Sequence, residues 1–209
     1  MSEPHVLRLA GRSLKTGMFS RVPVDIDIRR FVNPKLFWYG FEPFPQGTCC
    51  DSIVWEIQKR VVKWLIYGPD TFWGAPEHFL LPEETIAAAK AKCGVDCEDG
   101  ANLILSCCLS AGVPKERIWC SGGPVLDQGK EYGHGYVVYI RDSDSIAVVI
   151  DWCFLEDSQI APSHKKSYQE NDFYLPPWFS WNHEECWVDT EVKLFGRIRN
   201  IKKEGEGLK

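Results

Sequence analysis

The sequence predicts an α+β domain in which helices come first and pack on an antiparallel β-sheet that follows. Three observations carry this reading. Apolar residues recur at helical spacing in the first half of the chain. The period changes to two after about residue 117. Two β-branched runs, Tyr136–Ile140 and Ile146–Trp152, are joined by the turn-forming RDSDS. The 209 residues suffice for a substantial core in a single domain, 1–209.

The elements follow in order. VPVDIDIRRF (Val22–Phe31) alternates loosely and reads as a strand. FEPFPQGTCC is a Pro/Gly-rich loop, after which Asp51 or Ser52 caps a helix in which Ile53, Ile57, Val61, Trp64 and Leu65 line one face and Gly68 ends the run. PDTFWGAPEHF is irregular. Pro82 opens PEETIAAAKAK, a helix with its acids in the first turn.

GVDCEDGANLILSCCLSAGVP (Gly94–Pro114) is the third helix. Asp96 reads as its N-cap, with Asp99 placed three residues on as in a capping box. Cys97 then falls in the first turn, and Gly112 and Pro114 mark the end. Leu103, Ile104, Leu105, Cys107, Cys108 and Ala111 cover most of its circumference, so this helix should be buried. RIWCSGG reads as a strand. The aromatic FYLPPWFSWNHEECW reads as packing loops with one short strand, and the tail 196–209, with five Lys/Arg and two Glu, as a solvated, flexible end.

The formal net charge of −5 argues against a general nucleic-acid binder. No segment has the length and hydropathy of a membrane span, and MSEPHVLRLAGRS lacks the apolar run of a secretory signal. Nine cysteines, an odd number with no repeated spacing and two adjacent pairs, fit reduced thiols in the cytoplasm better than a disulfide framework.

A site can be located from hairpin arithmetic. If the turn centres near Asp142–Ser143, paired residues have numbers summing to about 285–287. Asp151 then faces residues 134–136, and His134 becomes its cross-strand neighbour, near enough for an imidazole N–H to reach a carboxylate. A histidine held by an aspartate needs a nucleophile. A helix start favours a thiolate, and a helix N-terminus with a neighbouring His⁺ can lower a cysteine pKa from about 8.5 into the range of about 3.5–7.5. Asp96, Glu98 and Asp99 oppose that shift, so an ion pair with His134 is expected to do most of the activating.

DCEDGANLILSCCLSAGVP, GHGYVVYI and VVIDW together resemble the transglutaminase-like superfamily of papain-type cysteine enzymes, over residues 70–155. The family shows a Cys opening a helix, often as D-C-E-D, then a G-H-x-x-V strand, then an Asp ending the next strand. The resemblance implies Cys97 as nucleophile, His134 as general base and acid, and Asp151 as the orienting carboxylate. It implies a cysteine peptidase or amidase that attacks a peptide or carboxamide carbonyl through a thioester, with a peptide or protein substrate and no cofactor or metal. Acyl transfer by the same triad, or a non-catalytic interaction module on the same fold, are the alternatives. The chain departs from the family where Trp152-Cys153 replaces the usual Pro-Thr after the Asp. Trp73 is the candidate for the family's oxyanion aromatic.

Two rival sites can be read. PQGTCCDSIVW resembles a papain-type loop, with Gln46 for the oxyanion and Cys49 or Cys50 as nucleophile, served by His164 or His183. The papain spacing, however, places Ser52 at the nucleophile position. Alternatively, Cys93, Cys97, His183 and Cys186 could bind zinc, although neither pair forms a tight CxxC knuckle.

Overall fold

A computed structural model describes residues 6–9, 12–13, 25–36, 44–45, 47–69, 78–154 and 158–187. Gln46, Trp73 and the tail 196–209 lie outside the described residues. A five-stranded antiparallel sheet organises the chain. Its order is β10 (Cys186–Trp187), β9 (Phe179–Trp181), β6 (Ile118–Asp127), β7 (Lys130–Ile140) and β8 (Ala147–Ile150). Two small pairings lie outside it: β1 (Val6–Leu9) joins β2 (Arg12–Ser13) and β3 (Asp25–Ile26), and β4 (Ile66–Tyr67) runs parallel to β5 (Gly94–Val95).

Residues 22–24 of the first expected strand lie outside the described residues; β3 covers Asp25–Ile26, and Ile28–Phe31 turns into a 3₁₀ helix. The Asp27 side chain accepts the Arg29 N–H at the start of that turn, a local bond that competes with extended backbone. Ile28 and Phe31 are both buried by this turn.

Helix α1 spans Cys50–Trp64 with Cys49 at the N-cap, two residues before Asp51 and three before Ser52, the caps the sequence suggests. Asp51 lies inside the first turn because its carboxylate is used elsewhere. It accepts the Tyr139 hydroxyl at 2.7 Å and the backbone N–H groups of Asp142 and Ser143. The helix thereby holds the β7–β8 turn. It stops at Trp64 because Leu65 turns extended into β4.

Helix α2, Pro82–Lys90, opens on its proline as expected, and Glu84 reaches back to the Leu81 N–H. Helix α3, Cys97–Ser110, is the central element and is buried from Glu98 to Cys108. Its C-terminus closes as a Schellman motif. The Gly112 N–H bonds to Leu109 O, the Val113 N–H bonds to Cys108 O, and Gly112 takes the left-handed φ of +91° that this turn requires. Asp99 does not complete a capping box. Its carboxylate accepts the backbone N–H of Leu80 at 2.7 Å and so ties the segment before α2 to α3.

Both sheet faces are buried. Val137, Tyr139, Val148 and Ile150 pack toward the three helices. Tyr136, Val138, Ile140 and Val149 pack under Tyr168, Tyr174 and the segment around them. Alternation along β7 therefore separates two apolar layers, and the aromatic C-terminal region is the cover of the second, as its composition suggested. β6 and β7 are longer than the sequence suggested because Gln128 and Gly129, at φ of +49° and +77°, close a two-residue hairpin turn.

Candidate active site

The β7–β8 register pairs Val137 with Ile150 and Ile140 with Ala147, so paired numbers sum to 287. Asp151 follows the last pair at the open end of the hairpin, diagonal to His134. Their side chains meet there: His134 Nε2 lies 2.6 Å from Asp151 Oδ2. His134 is 7% and Asp151 1% exposed, so water does little to screen this contact.

Asp151 is held from several sides. The Cys153 N–H donates to Oδ1 at 2.8 Å, and the Tyr174 hydroxyl donates to Oδ2 at 2.8 Å. Gln58 of α1, fully buried, donates to the Asp151 carbonyl at 2.5 Å. Burial works against the charged carboxylate, but His134, the Cys153 N–H and the Tyr174 hydroxyl outweigh it and hold the pKa below its ordinary 3.8. Edge-on contact with Phe154, at 5.0 Å between centroids, fixes the imidazole plane.

Cys97 opens α3, as expected. β8 ends opposite Val137, so β7 continues beyond it with an open edge. The Gly135 N–H on that edge donates to Cys97 Sγ at 3.3 Å. Trp152 Nε1 donates to the Cys97 carbonyl at 3.0 Å and anchors the helix start to the residue after Asp151. The sulfur thus meets β7 at its backbone edge, one residue from His134. The His134 ring shares its strand face with Tyr136, toward the second apolar layer.

The expected low thiol pKa is corrected by the structure. The Cys97 thiol donates to Glu98 Oε2 at 3.1 Å. Burial first, then the charges of Glu98 and Asp96, push its pKa well above 9.0, and only the Gly135 N–H is a notable pull the other way. Glu98 is 5% exposed, so its charge acts at short range in a dry setting. Burial and the neighbouring acids thus favour the neutral thiol over a pre-formed thiolate. Glu98→Gln removes that charge and should clearly speed iodoacetamide modification of Cys97 at neutral pH. An unchanged rate, with the labelled cysteine identified by peptide mass, would contradict the electrostatic account.

Cys107, Cys108, Cys120 and Cys153 are likewise raised, chiefly by burial. A folded-state pKa above the unfolded value gives stability that is complete below the unfolded pKa and is lost as pH rises. In reducing buffer, Tm should hold near neutrality and fall as pH climbs past about 9. A flat Tm through that window would argue against this upward shift.

One feature at the site was not foreseen. The Cys153 thiol lies with His134 and Asp151 in a group whose donor atoms are all within 4.8 Å of one another. Cys153 occupies the position where the sequence departs from the family's Pro-Thr, so the departure itself marks the spot. Tyr174 and Gln58 were also missed, because each reaches the site from an element whose placement depends on the tertiary fold.

Among the described residues, members of both rival sets are engaged elsewhere. Cys49 Sγ faces the Asp142 carboxylate at 4.0 Å. His183 lies 3.4 Å from Glu184, and His164 Nδ1 is 3.3 Å from Ser163 Oγ. Among the described residues, the group able to hold a metal is His134, Asp151 and Cys153, and not the set of Cys93, Cys97, His183 and Cys186.

No protein-family model matches the sequence, and no curated protein matches it. Solved structures do. The EGTA-treated form of Legionella pneumophila LapG, a transglutaminase-like cysteine protease, aligns with TM-score 0.52 and 20% identity over 74% of this chain and 78% of that one. A second LapG structure aligns with TM-score 0.50 and 20% identity over 73% and 76%. The fold is transglutaminase-like, and the α+β expectation from the sequence is borne out.

Proposed function

We propose that this chain, one transglutaminase-like domain, is a cysteine-dependent hydrolase of peptide or carboxamide bonds, with Cys97 as nucleophile, His134 as base and acid, and Asp151 as orienter. The observation that carries the reading is the 2.6 Å contact of His134 Nε2 with a buried, multiply bonded Asp151, beside a helix that opens on Cys97.

The electrostatics select the form of the chemistry. With Nε2–H donated to Asp151, Nδ1 is the nitrogen left to accept a proton. Because the resting thiol is neutral, its proton leaves as sulfur attacks, through general-base catalysis instead of a standing ion pair. Sulfur bonds to the carbonyl carbon. The carbonyl electrons move to oxygen and return as the amine or ammonia leaves with the proton from His134. A water, deprotonated by the same nitrogen, then cleaves the thioester and regenerates the thiol. LapG's protease character supports a protein substrate for this chain, and the nine free thiols support a reducing compartment such as the cytoplasm.

Incubation with a mixed peptide library should yield product pairs whose masses sum to the substrate plus one water per bond broken, read by mass. Products that instead gain an added amine would favour acyl transfer by the same residues. No product above a Cys97→Ala control would contradict the enzymatic reading.

A further inference from the structure

We infer that His134, Asp151 and Cys153 form a binding site for zinc, in which the metal takes the place of the proton between His134 and Asp151. The three side chains offer an imidazole nitrogen, a carboxylate oxygen and a sulfur, all within 4.8 Å of one another. This donor set suits Zn²⁺ and not Mg²⁺ or Ca²⁺, which prefer all-oxygen shells.

The adjustment needed is small. Tetrahedral zinc holds N, O and S donors at about 2.0–2.3 Å, which sets donor–donor separations of about 3.3–3.6 Å. The His134–Asp151 contact of 2.6 Å must open by about 0.7 Å to reach the lower end of that range. The farthest sulfur separation allowed, 4.8 Å, must close by about 1.2 Å to reach the upper end. The surroundings already support such a site. The Tyr174 hydroxyl and the Cys153 N–H orient the Asp151 oxygens, as partners of a metal-bound carboxylate do. Cys153 keeps partial exposure to solvent.

The protons balance. Cys153 gives up its thiol proton to solvent, and the His134 proton moves from Nε2 to Nδ1 as Nε2 takes the metal. The nitrogen that would receive the Cys97 proton is then occupied. Zinc should therefore switch the enzyme off. Only this inhibitory consequence rests on the proposed function; the binding itself rests on geometry.

The test uses the full-length chain as Cys97→Ala, reduced and stripped of metal, so that neither the candidate nucleophile nor its activity enters. Zn²⁺ competed against a chromophoric chelator should bind at one per chain, and Cys97→Ala/Cys153→Ser should bind at least tenfold more weakly. Co²⁺ should give a thiolate-to-metal charge-transfer band in the first protein and none in the second. Zn²⁺ should also slow alkylation of Cys153 in Cys97→Ala, read by peptide mass, which needs no second substitution. Equal affinity in both proteins, unaltered Cys153 alkylation, or no zinc bound by Cys97→Ala would each overturn the site. Those results would leave the catalytic reading untouched, and failure of the peptide assay would leave this site untouched.

Discussion

Cys97→Ala should lose about 10⁴-fold or more in turnover while folding normally, because one small residue replaces another at the first position of α3 and alanine is a good helix former. His134→Ala should be nearly as damaging, since it removes the group proposed to carry the proton both ways. Asp151→Asn should fall between these and the wild type. Its amide oxygen can still accept from His134 Nε2 and Tyr174, but the amide N–H₂ then faces the Cys153 N–H, which now donates to Oδ1. The losses should not add, because the three residues act as one unit. Steady-state kinetics on any library substrate checks the order. A Cys97→Ala protein with full activity, or an Asp151→Asn protein worse than His134→Ala, would contradict it.

Gly100→Ala should destabilise the protein and disorganise the site together. A Cβ at Gly100 would lie 2.2 Å from Trp152 Nε1, which neither group can tolerate in place. Alanine gains about 1 kcal/mol of helix propensity over glycine. Against that, Trp152 is 4% exposed and must be displaced, an overpacking cost of about 1–3 kcal/mol. Its N–H also loses the Cys97 carbonyl, and a buried donor left unpaired costs about 1–3 kcal/mol more. The sum is a net loss of about 1–5 kcal/mol, to be read as a lower urea midpoint. Because Trp152 sits between Asp151 and Cys153, turnover should fall more than the remaining folded fraction accounts for. A midpoint equal to or above the wild type would show that α3 can shift to admit the methyl.

The parts of this site that the sequence made legible are those fixed by local periodicity. The hairpin between Tyr136 and Trp152 sets its own register, and the register alone brings His134 to Asp151. Cys97 at a helix start follows from Asp96 before it and the Gly112–Pro114 stop after it. The thiol's electrostatics were harder to read, because they depend on side-chain direction. Glu98 could have pointed to solvent, as an acid in a first helical turn often does. Instead it is packed where Gly135 crosses α3, with its carboxylate on the sulfur. Asp99 and Asp51 show the same effect: each looked like a cap and each is claimed by a distant backbone N–H. Tyr174 and Gln58 lie 23 and 93 residues from Asp151, and nothing in their local sequence announces the contact.

The central claim is that Cys97 attacks with His134 as its base, and a peptide-like electrophile tests it most directly. A peptidyl acyloxymethyl ketone incubated with the reduced protein at neutral pH, followed by digestion and peptide mass analysis, should place one adduct per chain on Cys97. The rate should collapse in His134→Ala while the other eight cysteines stay unmodified. An adduct on Cys153, which shares the His134–Asp151 pair, or on Cys49 or Cys50 in the upstream loop, would contradict the assignment, as would undiminished Cys97 labelling without His134.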